Sequence, residues 1–241
     1  MKALVRKTAI GAEDTDRMKI PDYEYQPLGT SSRIRVLVLE PGVGSMPLTG
    51  DLRHMDLSQP QDEKKPATLL SSQWRSFGRD LITKGPLQYE ALSYVWGEPV
   101  YSRSLRCSQG KIAITPNLEE ALLHIRFPDR RRVIWADAIC INQNDLEERS
   151  RQVRLMGDVY RRAKQVLIWL GPDHTHVTAR RTFAALRELI RPPHLEGDDQ
   201  DIHRHMQEVV KSKWFTRLWV VQELFLARHA VALWGLSLIH I

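Results

Sequence analysis

Short apolar runs alternate with longer amphipathic stretches along this chain, in an order that predicts strand, helix, strand, helix, strand. "RIRVLVLE" (33–40) is apolar and β-branched, preceded by a strand-like run from Tyr23 to Leu28 and closed by Pro41-Gly42, and predicts a first strand on one edge of a sheet. Residues 41–86 are rich in Pro, Gly, Ser and charge, with one strand-like island at "LTGDLRHMDL"; most of this stretch is expected to be a variable, partly mobile insertion. Order returns with "YEALSYVW" (89–96), a strand stopped by Gly97 and Pro99. "RSLRCSQ" and "KIAIT" then form a hairpin through Gly110. Pro116 and Asn117 open a helix whose Leu118, Ala121, Leu122 and Ile125 fall on one face.

"VIWADAICINQND" (133–145) combines an apolar run with a dense polar end. It predicts a central strand from Arg132 to about Asp137, then a polar loop. Asp145 stands three residues before Glu148, the spacing of a reciprocal helix cap in which Glu148 folds back. The helix that follows carries Val153, Met156, Val159, Tyr160 and Ala163 inward. "QVLIWL" is apolar almost throughout, as expected of a strand buried on both faces of a parallel sheet. Helices are predicted over 178–190, with Phe183, Leu186 and Ile190 inward, over 201–211 and over 217–227. The tail "VALWGLSLIHI" reads as a strand that stops without a polar finish, suggesting a truncated end over 236–241.

This alternation predicts an α/β fold, a central parallel sheet flanked by helices with an N-terminal β extension. Residues 1–22 are expected to be a flexible N-terminus, 23–88 a β lead-in with a variable loop, and 89–235 the main domain.

At 241 residues and 42% hydrophobic, the chain is long and apolar enough for a globular core. Its two cysteines, Cys107 and Cys140, lie far apart in strand-like contexts, which excludes a disulfide framework and favours a reducing compartment. The N-terminus lacks the apolar core of a signal peptide and no apolar run is long enough to span a bilayer, so no membrane partner and a cytoplasmic location are expected. The net charge of +6 is concentrated at Arg130–Arg132, Arg149, Arg151, Arg154, Arg161, Arg162 and Lys164. Such charge permits an anionic partner, but without zinc-finger spacing or an RNP-like strand nucleic acid is not the expected one.

In open parallel sheets, ligands sit beyond the carboxyl ends of the strands. The loop from Asp137 to Asp145 is expected there, with Asn142 and Gln143 able to contact a ligand or simply to satisfy turn backbone. Cys140 reads as a small buried hydrophobe. The pairs His174/His176 and His203/His205 lack the further ligands of a zinc set, so no metal is expected. Neither a dinucleotide fingerprint nor a P-loop is present. Trp219 and Glu223 share a helix face at i, i+4, where an aromatic wall would raise the carboxyl pKa; the residues alone favour an ordinary amphipathic helix, with Trp in the core and Glu at its rim.

"YEALSYVWGEP", "ITPNLEEALLHIR", "VIWADAICINQNDLEERSRQVRLMGDVYRRAKQVLIWLGP" and "WFTRLWVVQE" together resemble, in order, the blocks of the fungal heterokaryon incompatibility (HET) domain; "YQPL" at 25–28 and "LTGDL" at 48–52 resemble its lead-in. The resemblance implies a fungal effector of nonself recognition and programmed cell death. HET domains have in turn been compared with TIR domains, some of which cleave NAD, and this implies a TIR-like or flavodoxin-like sheet. It also makes Glu223 the candidate catalytic carboxylate, with Tyr94, Trp96, Asp137, Asn142, Gln143 and Trp219 as candidate substrate contacts. NAD would be a substrate, and no cofactor is implied. Candidate partners are a second copy of the chain or an incompatibility partner protein. Two other readings stay open: a non-enzymatic assembly module and a nucleic-acid-binding regulator.

Overall fold

The computed structural model describes residues 20–58, 87–173, 178–190, 207 and 209–240. Strands β1 (Arg33–Leu39), β2 (Gly50–Asp56), β3 (Glu90–Tyr94), β6 (Arg132–Trp135), β7 (Val166–Trp169), β8 (Ala230–Trp234) and β9 (Ser237–His240) form one sheet in the order β2-β1-β6-β3-β7-β8-β9. The middle strands β6, β3, β7 and β8 run parallel, whereas β1, β2 and β9 are antiparallel additions at the two sides. Numbered among themselves, the four parallel strands lie second-first-third-fourth. Chain connections therefore leave β3 and β7 in opposite lateral directions, the arrangement that opens a crevice at the strands' carboxyl ends.

Helix α1 (Pro116–Ile125) covers one face of the sheet and α3 (Leu146–Arg162) the other, each over its own apolar core. Thr115 caps α1 by accepting from the Leu118 N–H at 3.4 Å, and proline occupies the first turn where its missing donor costs nothing. The hairpin of β4 (Arg103–Cys107) and β5 (Gly110–Ile114) forms a separate two-stranded sheet that packs with α1. Gly110 takes φ +149°, and a Cβ there would lie 2.8 Å from the Pro21 carbonyl, so the turn admits glycine alone. α4 (Thr178–Ile190) and α5 (Val220–Phe225) complete the α3 face, with Phe183 and Val220 buried. No helix among the described residues is long and apolar enough to cross a membrane.

Several sequence expectations change. The sheet is mixed, parallel only at its centre. β1 lies one strand in from the edge, because the island at 50–56 pairs along its whole length, from Arg33↔Asp56 to Leu39↔Gly50. Residues 23–28 form no strand and are held instead through an isolated bridge at Asp22 to Lys111. β6 ends at Trp135, and the expected loop begins with a one-turn helix, α2 (Asp137–Cys140). The tail forms two strands, β8 and β9, that turn back on each other. On α3, Val153 is exposed while Glu148 and Gln152 join Met156, Val159 and Tyr160 inside. Two tertiary partners draw these polar side chains inward: Gln152 donates to the Arg33 carbonyl at 2.9 Å, and Glu148 pairs with Arg35. The N-terminal 1–19, most of the variable insertion, most of the helix predicted over 201–211 (207, 209 and 210 are described, as helical) and the side chains of Leu186 and Ile190 lie outside the described residues.

Candidate functional site

Three chain segments converge at the carboxyl edge of the parallel strands. β3 ends in Ser93 and Tyr94, with Trp96 just beyond; β6 leads into Asp137; and the 3₁₀ turn Lys213–Thr216 with α5 supplies Trp214, Arg217 and Glu223. Ser93 is fully buried at the centre of the group. Its hydroxyl donates to Glu223 Oε2 in a very short contact and accepts from Trp214 Nε1 at 2.7 Å. Arg217 forks onto Glu223 through Nη1–Oε2 at 3.0 Å and Nη2–Oε1 at 2.8 Å, while its Nη1 also reaches Ser93 Oγ at 3.3 Å. Glu223 is only 1% exposed, and both its oxygens are occupied.

Asp137 begins α2 and is half-buried. Its carboxylate accepts from Trp96 Nε1 at 2.9 Å and from the Ala138 N–H at 2.8 Å. Burial raises its pKa, against the lowering effect of Trp96, Ala138 and Arg217, and the Glu223 charge raises it further. The Tyr94 hydroxyl is buried beside the Asp137 carboxylate, and desolvation followed by that carboxylate's charge and hydrogen bonding disfavours its ionisation. Tyr160, presented from α3, has its pKa raised by burial and then by Glu223 and Asp137. The site thus gathers two carboxylates, one guanidinium and two neutral phenols, of which Glu223, Tyr94 and Tyr160 are buried while Asp137 and Arg217 keep partial contact with solvent.

Because the Asp137 pKa is raised in the folded state, its protonated form contributes stability that is complete below the unfolded pKa of about 3.9 and is lost as pH rises through the folded value. The stability of the native chain relative to Asp137→Asn is therefore expected to fall as pH rises above about 4, as followed by thermal unfolding across pH. A constant difference would show that burial does not govern this carboxyl.

Glu223, Asp137, Tyr94 and Trp96 are thus brought together; Trp219 is not. The Glu223 N–H bonds to the Trp219 carbonyl at 3.0 Å in the first helical turn, yet the indole is 47% exposed while the carboxylate points inward. α5 is short and turns Val220 and Glu223 toward the core, and the tryptophan that meets Ser93 is Trp214. Asn142 and Gln143 serve their own loop: Asn142 Oδ1 accepts from the Asn144 N–H at 3.2 Å and Gln143 Nε2 donates to the Asp137 carbonyl at 2.9 Å. Asp145 caps α3 through the Glu147 and Glu148 N–H groups. Glu148 does not fold back onto the cap; it accepts from Arg35 and from the Asn142 N–H. Cys140 is fully buried with its thiol pushed up to about 12, far from a nucleophile's range. Among the described residues no three His, Cys, Asp or Glu side chains are grouped to hold a metal, and the histidine pairs at 174/176 and 203/205 lie outside them.

Ser93, Trp214, Arg217 and Tyr160 escaped the sequence reading. One signal was there for Ser93, a lone hydroxyl in the apolar strand "EALSY". Arg217 stands six residues before Glu223, a spacing no helical rule pairs; the non-helical step at Arg217 (φ −83°, ψ 134°) folds the guanidinium back over the carboxylate.

Residues 89–223, which hold every member of this cluster, match the family model described as Heterokaryon incompatibility protein (HET). The chain belongs to the HET family. Among curated proteins, heterokaryon incompatibility protein 6, OR allele, of Neurospora crassa is 29% identical over 204 residues, covering 64% of this chain and 30% of that protein. The chain thus spans less than a third of the relative's length. No solved structure matches it. Within the HET region, β3, the stretch from β6 through β7, and α5 are the parts that meet at the carboxyl edge.

Proposed function

We propose that this HET domain is the effector unit of a fungal incompatibility protein, acting in the cytoplasm in nonself recognition and cell death, and that its chemistry is a TIR-like cleavage of NAD. The observation that carries the reading is the placement of Glu223 and Asp137 beside Tyr94 and Trp96 at the carboxyl edge of parallel strands ordered second-first-third-fourth. That order agrees with the first four strands of a flavodoxin-like doubly wound sheet, 2-1-3-4-5, and so supports the reading; ligands of such sheets lie at the switch point between the first and third strands. Here those strands are β3 and β7, and Ser93, the hub of the cluster, is the next-to-last residue of β3. The family match and the relative's name support the biological setting.

Cleavage of the nicotinamide glycosidic bond develops oxocarbenium character on the ribose, and a carboxylate in a dry site stabilises that charge. Nicotinamide leaves neutral from a cationic nucleotide, so no general acid is required and water completes the reaction. Glu223 is the carboxylate for this role, with Trp96 available to a ring and Asp137 to ribose hydroxyls.

A second reading, a non-enzymatic assembly module, draws on a different observation. Leu218, Val221 and Phe225 recur at i, i+3, i+7 and stand 85%, 72% and 85% exposed, a stripe that a second copy of the chain could cover. A nucleic-acid role has less support, since Arg131, Arg132, Arg151 and Arg161 of the basic runs are paired with Glu40, Glu90, Glu147 and Asp158.

Nicotinamide release from NAD by the purified chain, run at concentrations on both sides of any self-association seen by light scattering, separates these readings. Turnover that falls at least about a hundredfold in Glu223→Gln supports the glycohydrolase. Self-association abolished by Leu218→Ser/Phe225→Ser, without turnover at any concentration, moves the function to assembly.

A further inference from the structure

Glu223 is closed off in a specific way. Its carboxylate is 1% exposed, and both its oxygens are held by the Arg217 guanidinium, whose side chain is 18% exposed and so is the more solvent-accessible partner. Arg217 sits on the non-helical step between the four-residue 3₁₀ turn and the six-residue α5. Trp214 and Glu223 each have a bond to Ser93 that does not involve Arg217. Departure of Arg217 would leave those two bonds in place. The fork that holds two carboxylate oxygens matches two phosphate oxygens equally well.

We propose that Arg217 is an anion-operated latch: a phosphate or pyrophosphate group arriving at the carboxyl edge takes the guanidinium from Glu223 and so exposes the carboxylate. Glu223 keeps its Ser93 hydrogen bond, and its other oxygen becomes available to the reacting half of the ligand. The inference rests on the NAD reading only for the identity of the anion as the pyrophosphate of a dinucleotide. Arg217 is a positioning residue here, acting through Glu223.

The test uses the whole chain with inorganic pyrophosphate as the probe and two measurements, affinity by calorimetry and carbodiimide labelling of Glu223 read by mass spectrometry. In the free protein Glu223 is expected to stay unlabelled, and saturating pyrophosphate to raise its labelling several-fold. Arg217→Gln should weaken pyrophosphate binding roughly tenfold or more, the worth of a lost charge-assisted pair. Since that change leaves Glu223 buried and unpaired, Arg217→Gln/Glu223→Gln serves as the folded control, and it too should lose the affinity. Arg217→Lys should retain part of it. Pyrophosphate bound equally well by the double variant, no binding by wild type, or Glu223 unlabelled at saturation would each overturn the latch. Binding and labelling without nicotinamide release keeps the latch and removes the glycohydrolase, whereas release without labelling does the reverse.

Discussion

Arg35→Met is expected to cost about 3–5 kcal/mol of folding stability, read as a fall in the midpoint of urea unfolding. Arg35 and Glu148 are almost completely buried, with side chains 1% and 5% exposed. The guanidinium meets Glu148 at 2.5 and 3.0 Å, donates to the Gln26 carbonyl at 2.5 Å and reaches the Cys140 carbonyl at 3.3 Å. One side chain of β1 therefore ties the N-terminal lead-in, the end of α2 and the start of α3 together. Without it Glu148 keeps only the Asn142 N–H, at 2.8 Å, inside an apolar core. A buried carboxylate in that position must either take up a proton or pull water in, and both are costly against a total stability of roughly 5–15 kcal/mol. Arg35→Met/Glu148→Leu should be less damaging than Arg35→Met, because replacing both charges removes the uncompensated one. A single substitution costing under about 1 kcal/mol would mean that solvent reaches the pair.

This pair also marks where local reasoning stops. Apolar runs such as "VLIW" and "RVLVL" declare their strands because water exclusion acts on the residues themselves, and Gly110 and Pro116 declare a turn and a helix start through backbone geometry alone. Asp145 is legible as a cap for the same reason. Glu148 at the third position after it fits a reciprocal cap, yet a guanidinium 113 residues upstream offers a stronger, desolvated partner and takes it. The candidate site divides similarly. Glu223, Asp137, Tyr94 and Trp96 can be picked out by residue type and family resemblance. Their grouping with Ser93, Trp214 and Arg217 depends on a non-helical step and on strand order, neither of which leaves a periodic trace. Trp219 was the natural neighbour for Glu223 on an ideal helix; the short α5 begins one residue later and rotates the indole outward.

Arg217→Met is expected to cost about 2–3 kcal/mol in the same urea assay, less than Arg35→Met. Both variants strand a buried carboxylate, but Arg217 is 18% exposed, so water can enter the space it leaves and solvate one oxygen of Glu223 while Ser93 holds the other. Glu223→Gln should cost less again, because the amide keeps the shape and an acceptor oxygen, and the released guanidinium can turn to solvent. That ordering separates chemistry from folding at this site. If Glu223→Gln is the mildest of the three and still abolishes nicotinamide release, the carboxylate's charge is what the reaction uses. If it destabilises as much as Arg217→Met, the two groups act as one structural pair and a loss of turnover reports unfolding instead.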